Sequence, residues 1–441
     1  MNRPDIQVIT MGCSKNLVDS ERLLAQLSHA GLNVCHDADR IDQAPIVLIN
    51  TCGFIGDAKE ESIEMILRCT GAKESGLIEK VLVMGCLSER YLDELTQEIP
   101  EVDAFFGVTN IDQLLLYLGI TYNPDLSVSR YLTTPSHYAF LKIAEGCNRG
   151  CAFCAIPAIR GGYRSDPIEK LVCEAEGVAA SGAKELLLIA QDLTHYGTDF
   201  GQKAMLPQLI ERLLQIESLE WIRLHYTYPV GFPFEILRLM RENPRICNYL
   251  DIPFQHISNR MLRRMRRGIT AEKSMALIAR IREEVPGICL RTTLLVGFPG
   301  ETEEDFQELM QFVQTVRFDR LGVFAYSHEE GTWAANHYTD DVPDSVKQAR
   351  VEALMQLQQD ISASLNAQKE GSERKVIIDR YDTDYWYGRT EGDSPEVDQE
   401  VLISRKEAPH FSVGSFEQVL IETSGEFELY AKPVKPHNST R

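Results

Sequence analysis

Cys147-Asn148-Arg149-Gly150-Cys151-Ala152-Phe153-Cys154 sets three thiols within eight residues, in the spacing C-x3-C-x2-C, just after His137–Ala144, which reads as a strand. Three thiolates so close can wrap one corner of a cubane iron–sulfur cluster, and having three rather than four leaves one iron open to a substrate or cofactor. Phe153, between the second and third thiols, would keep water from such a cluster. Zinc is the rival occupant, but structural zinc takes four ligands and catalytic zinc takes His or carboxylate neighbours. The loop holds neither, so iron–sulfur is the better reading and isolated buried thiols the plainer alternative.

Downstream of this loop, apolar runs and amphipathic stretches alternate for some two hundred residues. Strands are expected at Glu185–Ala190, Trp221–Tyr226, Tyr249–Phe254, Cys289–Val296 and Arg320–Tyr326, with helical patterns between them such as Ile168–Ser181 and Thr302–Val316. Counting His137–Ala144, six strand-then-helix units predict a full or partial parallel βα barrel, whose chemistry belongs at the C-terminal strand ends. Glu145, Gln191, Asp192, His225, Gln255, His256 and Arg291 fall near that rim, where ordinary hydrogen bonding inside the barrel is as good a role for each as a site. Gly297-Phe298-Pro299-Gly300 follows a barrel strand and allows close backbone approach to a ligand, although alone it would be a plain turn.

Upstream, Ile6–Met11, Pro45–Thr51, Glu79–Gly85 and Asp103–Val108 read as strands separated by helices, which predicts an open parallel sheet. The first helix is expected over Leu17–Ala30, with Asn16 as its N-cap and Asp19 and Glu21 in its first turn. Cys13, Cys52 and Cys86 each follow one of these strands, with Gly12, Gly53 or Gly85 adjacent. Ligands bind at that sheet edge, and helix N-termini there favour thiolates. One buried thiol would need no explanation, but three equivalent positions point to a second open-sited cluster. Cys35, Cys69, Cys173, Cys247 and Cys289 share no pattern and read as incidental thiols.

Residues 122–136 are rich in Pro, Ser and Thr and read as a linker, and Val342–Glu370 as one long helix. From Ser372 onward, Lys375–Arg380, Tyr385–Arg389, Glu400–Ile403, Glu417–Glu422 and Glu426–Tyr430 predict a small antiparallel β-barrel. The expected modules are therefore 1–121, the linker 122–136, the barrel 137–371 and the C-terminal module 372–441.

The 441 residues carry 45 Lys and Arg against 65 Asp and Glu, a net charge of −20. Such a chain repels a phosphate backbone except through a local basic patch, and it suits a basic protein partner. The strongest basic run, Arg260, Arg263, Arg264, Arg266 and Arg267, is spread around a helix, so it reads either as a solvated face or as a contact for RNA or an acidic surface. The C-terminal module, with nine basic against fourteen acidic residues, suits a basic protein better than tRNA. No apolar run approaches the ~18–20 residues of a membrane helix, and no leader pattern opens the chain, so a cytoplasmic protein with no membrane contact is expected.

The Cys147–Cys154 loop resembles the signature of radical S-adenosylmethionine (SAM) enzymes, and the whole chain resembles a methylthiotransferase of that superfamily, with a three-cysteine N-terminal domain, a radical-SAM barrel and a C-terminal TRAM module. Met11-Gly12-Cys13-Ser14-Lys15-Asn16-Leu17-Val18-Asp19-Ser20-Glu21 and Asn50-Thr51-Cys52-Gly53-Phe54-Ile55 are similar to the RimO type, which modifies an aspartate of small-subunit ribosomal protein twelve. Ser14 stands where that type usually has proline. Asp251-Ile252-Pro253-Phe254-Gln255-His256 and Leu295–Thr302 fit as well.

The resemblance implies two 4Fe-4S clusters, one on Cys147, Cys151 and Cys154 that binds SAM, the other on Cys13, Cys52 and Cys86 that carries the sulfur. It implies two SAM molecules, one methylating that sulfur and one cleaved to a 5′-deoxyadenosyl radical that takes hydrogen from the aspartate β-carbon. No side chain is then the catalyst. Phe153, Gln191, Arg291, Gly297 and Gly300 are the candidate cofactor contacts, Arg291 for the SAM carboxylate because a guanidinium fork matches it. A ferredoxin or flavodoxin is the expected electron donor. The rivals are a tRNA methylthiotransferase of the MiaB type and a non-catalytic metal scaffold on the ribosome.

Overall fold

The computed structural model describes residues 3–37, 40–201 and 203–434, so residues 435–441 of the expected C-terminal module lie outside the described residues. At the N-terminus, β1 (Ile6–Thr10), β2 (Val34–His36), β3 (Ile46–Thr51), β4 (Lys80–Gly85) and β5 (Ala104–Phe105) form a parallel sheet in the order β2-β1-β3-β4-β5. Both faces are covered, as alternation within each strand requires. Val47, Ile49, Val81 and Val83 pack under the helix Gly56–Glu74, and Leu48, Leu82 and Met84 under Ser14–His29 and Ile111–Tyr117.

The first helix differs from expectation. It begins at Ser14, with Cys13 at the N-cap and no capping side chain. Asn16 lies inside it, buried, and its Nδ2 donates to the carbonyls of Met11 (2.9 Å) and Thr51 (3.0 Å), tying two strand ends together. Asp19 and Glu21 are likewise buried one or two turns in, where Asp19 pairs with Lys142 and Arg160 of the barrel and Glu21 with Arg130 of the linker. Tertiary contacts outrank the local capping preference here.

The central module is an open partial barrel. Its strands are β6 (Tyr138–Lys142), the small antiparallel pair β7 (Ala144–Glu145) and β8 (Arg164–Ser165), then β9 (Glu185–Ile189), β10 (Trp221–Leu224), β11 (Ile246–Asp251), β12 (Cys289–Val296) and β13 (Arg320–Ala325). The six long strands are parallel, in the order β13-β12-β11-β10-β9-β6. Their outer faces and the surrounding helices form the largest core, including Leu186, Leu188, Leu250, Leu294, Phe312 and Leu354. The helix Glu303–Val316 opens with a capping box between Thr302 and Asp305, and the long helix runs over Asp344–Ala367.

The C-terminal module is a closed ring of β14 (Glu373–Tyr381), β15 (Tyr385–Thr390), β16 (Glu400–Ser404), β17 (Phe416–Ser424) and β18 (Glu428–Pro433), in the order β14-β15-β16-β18-β17. The expectation of a wholly antiparallel barrel is corrected at one junction, since β16 and β18 run parallel. A closed ring of five strands cannot alternate direction all the way round, so one pair must be parallel. The β15–β16 loop is buried against the central barrel. Asp393 pairs with Arg320, Ser394 Oγ lies 3.1 Å from His225 Nε2, and Tyr249 Oη donates to Asp398 (2.9 Å).

Candidate functional site

β1, β3 and β4 are neighbours, so Cys13, Cys52 and Cys86 stand side by side along one sheet edge. Glycines make that approach possible. Gly12 has φ +88°, and a Cβ there would lie 2.7 Å from Cys52 Cβ; one on Gly85, at φ +106°, would lie 2.5 Å from the Thr51 carbonyl. Burial works against ionising Cys13, yet Lys15, Arg160 and nearby backbone donors bring its thiol below the ordinary value. Burial pushes Cys86 up to about 12 against Arg160, and raises Cys52. Of the three thiols, Cys13 alone is shifted toward ionisation by the protein's own groups.

Cys147, Cys151 and Cys154 lie on the loop that leaves β7, at the C-terminal end of the barrel. Arg267 Nη1 is 3.0 Å from Cys151 Sγ, and the Arg149 amide donates to Cys147 Sγ (3.4 Å). Burial pushes Cys154 up to about 12 and raises Cys147. Phe153 is half-buried against an apolar wall of Met261, Met265, Leu295 and Phe298. Among the described residues no three Cys, His, Asp or Glu side chains converge on a single ion. Three thiols with no histidine or carboxylate in either set fit a cubane open at its fourth iron better than one tetrahedral zinc. Thiol-only donors with a buried cation beside each set, and glycine-cleared approaches at the sheet edge, make both triads fit iron–sulfur clusters.

One turn of helix joins the two triads. Ile156–Arg160 starts two residues after Cys154, and Ala155 and Ile159 pack against Cys86 and Val108. Arg160 Nη2 donates to Asn16 Oδ1 (2.5 Å), and Cys86 Sγ lies 3.7 Å from that same oxygen. Arg160 Nη1 reaches Asp19 (3.1 Å) and Glu145 (3.0 Å), and Lys142 Nζ pairs with Glu145 (2.6 Å) and with Asp19. Further buried pairs close the same seam, among them Arg22–Glu174 (2.8 Å), Arg130–Glu174 (2.7 Å) and Arg90–Glu329 (2.7 Å).

The remaining rim residues are placed as follows. Gln191 Nε2 donates to Glu145 (3.1 Å), and Asp192 accepts from Arg149 (2.7 Å). Arg291 stands 3.6 Å from Asp251 and 3.5 Å from Asp398, within ion-pair distance of two protein carboxylates. Gly297 (φ +69°) and Gly300 (φ +78°) shape the turn after β12, and a Cβ on Gly297 would strike Lys347 Cγ at 2.2 Å. The Gly297 amide donates to buried Glu301, which faces His256 Nε2 at 3.5 Å. His225 is buried, which together with Arg223 and Arg291 drives its pKa well below the usual histidine value. Gln255, like Tyr226, has a left-handed backbone, φ +72°.

The arginine run is not one surface. Arg260 pairs with Asp305 and donates to the Gly300 carbonyl (2.6 Å), Arg264 lies 4.0 Å from the Tyr338 ring centroid, Arg266 lies 5.0 Å from the Trp333 ring, and Arg267 is buried at Cys151. These side chains brace the rim around the thiol loop. Arg160 and Lys15 carry no expected role in the sequence, and Arg267 a different one. Arg267 was hidden in the basic run, and nothing local marks Arg160.

No helix among the described residues is long and apolar enough to cross a membrane. Fold and thiol geometry together define a radical SAM protein with an added cysteine sheet and a small C-terminal barrel. The radical SAM superfamily matches residues 141–313, Uncharacterized protein family UPF0004 matches 5–107, and the TRAM domain matches 371–434. The ribosomal protein uS12 methylthiotransferase RimO of Bacteroides thetaiotaomicron is 56% identical, over 98% of this chain and 99% of the relative. That of Flavobacterium johnsoniae is 53% identical, over 98% and 99%. The chain belongs to this family, the RimO methylthiotransferases. Among solved structures, the radical SAM methyltransferase TsrM of Kitasatospora setae aligns with a TM-score of 0.54 at 15% identity, covering 73% of each chain. The cobalamin-dependent radical enzyme OxsB gives 0.52 at 13%, covering 79% of this chain and 56% of that one. These two share the fold.

Proposed function

We infer that this radical SAM methylthiotransferase acts on ribosomal protein uS12 and places a methylthio group on the β-carbon of an aspartate. The observation that carries this reading is the pair of cysteine triads held together by Arg160 in a chain of this family. Iron–sulfur clusters and SAM are its cofactors, and when bound they supply radical chemistry able to activate a C–H bond that no side-chain base could deprotonate.

The chain's own groups do the rest. Cys147, Cys151 and Cys154 would hold one 4Fe-4S cluster, and Cys13, Cys52 and Cys86 the other. Arg267 donates toward Cys151 and compensates thiolate charge in a buried site. Phe153 and its apolar neighbours would exclude water, and Gly297 and Gly300 let Lys347 and Arg264 pack closely against the turn after β12. Labour divides along the modules, with sulfur on 1–121, radical chemistry on 137–371 and substrate docking on 372–441, joined by the linker 122–136.

The acidic C-terminal module supports a basic protein substrate. A cavity of about 540 Å³ between it and the start of β6 is lined by Asp379, Glu396, Asp398 and Glu400 together with Arg380 and Arg389, which pair with Glu400 and Asp379. A ferredoxin or flavodoxin fits as one-electron donor for an enzyme of the cytoplasm.

The test is an anaerobic competition. Reconstituted protein, SAM and a reductant meet uS12 and bulk tRNA in parallel, with mass spectrometry on both. A methylthio group on a uS12 aspartate is the expected result. A methylthio group on adenosine would overturn the reading in favour of the MiaB type.

A further inference from the structure

Lys15 follows Cys13 by two residues and is 8% exposed. Its ammonium sits 3.3 Å from the centroid of the Tyr226 ring, and among the described residues it donates to no oxygen acceptor. The other buried cations of this seam behave differently. Lys142, Arg160 and Arg130 each face at least one carboxylate within ion-pair distance. An ammonium nine-tenths buried against an aromatic face, within electrostatic reach of Cys13, His225 and Asp251 but in no ion pair or hydrogen bond with a carboxylate, keeps donors free for a guest.

The surroundings are shaped for a guest. Tyr226 follows the C-terminal end of β10 and holds φ +59°, a strained conformation for an aromatic residue, which puts its ring beneath Lys15. The Tyr226 amide donates to Asp251 Oδ2 (3.2 Å), while buried Asp251 Oδ1 has no hydrogen bond and stands 3.6 Å from Arg291. Lys15 comes from the sheet-edge triad and Tyr226 from the barrel rim, so the ammonium lies where the two halves of the chemistry face each other. A ring on one side fixes the ammonium by a cation–π contact and leaves its other donors for an anion.

We propose that Lys15 binds the side-chain carboxylate of the substrate residue and so selects aspartate at the seam between the two triads. This rests on the uS12 aspartate reading above. A carboxylate is the fitting anion because it accepts charge-assisted hydrogen bonds from the ammonium, whereas the neutral amide of asparagine has one acceptor oxygen and no charge. The competing role for Lys15 is to stabilise the thiolate of Cys13, which would not distinguish those two side chains.

The experiment compares two peptides spanning the modified loop of uS12, one with the native aspartate and one with asparagine, on the reconstituted holoenzyme. Affinity is read by anaerobic fluorescence anisotropy, and KM by mass spectrometry. Wild type is expected to favour the aspartate peptide by about tenfold or more, the scale of one charge-assisted hydrogen bond. Lys15→Met should remove that preference, and Lys15→Arg should keep part of it. Lys15→Gln carries the same comparison should the methionine variant fail to fold. An undiminished preference in the variants, or no preference in wild type, overturns the assignment of Lys15 while leaving the uS12 reading intact. A wild type that neither binds nor modifies the aspartate peptide overturns both.

Discussion

Arg267 Nη1 lies 3.0 Å from Cys151 Sγ, a buried guanidinium donating straight to a thiol of the barrel loop. Hydrogen bonds and positive charge at cluster sulfurs favour the reduced state. Arg267→Met should therefore shift the reduction potential of the barrel cluster to more negative values, with Arg267→Lys recovering part of the shift. A redox titration followed by electron paramagnetic resonance reads this directly, and an unchanged potential would remove Arg267 from that role.

The triads should be separable by metal content. Cys151→Ala and Cys52→Ala are each expected to retain about half of the wild-type iron and sulfide after reconstitution, since each disables one of two clusters. Cys151→Ala should abolish SAM cleavage, whereas Cys13→Ala should stop methylthio transfer and leave cleavage in place. Loss of both activities in Cys13→Ala would argue against the division of labour.

Gly12→Ala should damage the sheet-edge triad. Its φ is +88° and the added carbon would meet Cys52 Cβ at 2.7 Å, so strain and a clash act together. Gly31→Ala is the control, at φ +90° with no atom within 4 Å of the added carbon. Both should lose stability, but the iron deficit is expected in Gly12→Ala only. Equal iron in both would show that the clash is absorbed elsewhere.

Arg160→Met should be costly because it leaves Asp19 and Glu145 with one cation fewer and Asn16 Oδ1 without its guanidinium donor. Breaking a buried pair on one side typically costs about 3–5 kcal/mol. Chemical denaturation should show the loss, and limited proteolysis should cut first in the linker that spans the seam.

Glu185 supplies a pH dependence. Burial alone would raise its pKa, but Arg389 and Arg223, each 2.7 Å away, hold it below the ordinary carboxylate value. A carboxylate depressed in the folded state adds stability that is full above its unfolded pKa and is lost as pH falls through the folded one. Glu185→Gln should thus be less stable than wild type at neutral pH, and the gap should narrow below about pH 4. Denaturant midpoints at both pH values check it; a gap that widens in acid would contradict the assignment.

Much of this architecture was legible because it is periodic. The six barrel strands follow from apolar runs at regular spacing, and the sheet-edge triad from three cysteines that each terminate a strand. Val34–His36 was missed because three half-buried residues carry no period. Asn16, Asp19 and Glu21 were assigned to capping and to the helix end because those preferences are local, whereas their partners are residues such as Thr51, Lys142 and Arg130. The arginine run misled for a similar reason. The helix in fact ends at Arg264, so Arg266 and Arg267 lie past it, and the spacing does not say that Trp333, Tyr338, Asp305 and Cys151 wait on different sides. The parallel junction of β16 and β18 was open to counting alone, since five strands in a ring cannot all be antiparallel.

The closed ring at the C-terminus has a consequence for how a substrate is met. A sheet with a free edge can capture a peptide by adding it as one more strand, and backbone pairing of that kind reads little of the guest's sequence. In this ring every strand already has two neighbours, so that mode of capture is denied. Whatever docks here must be gripped by side chains, and recognition is therefore written in residues that single substitutions can edit.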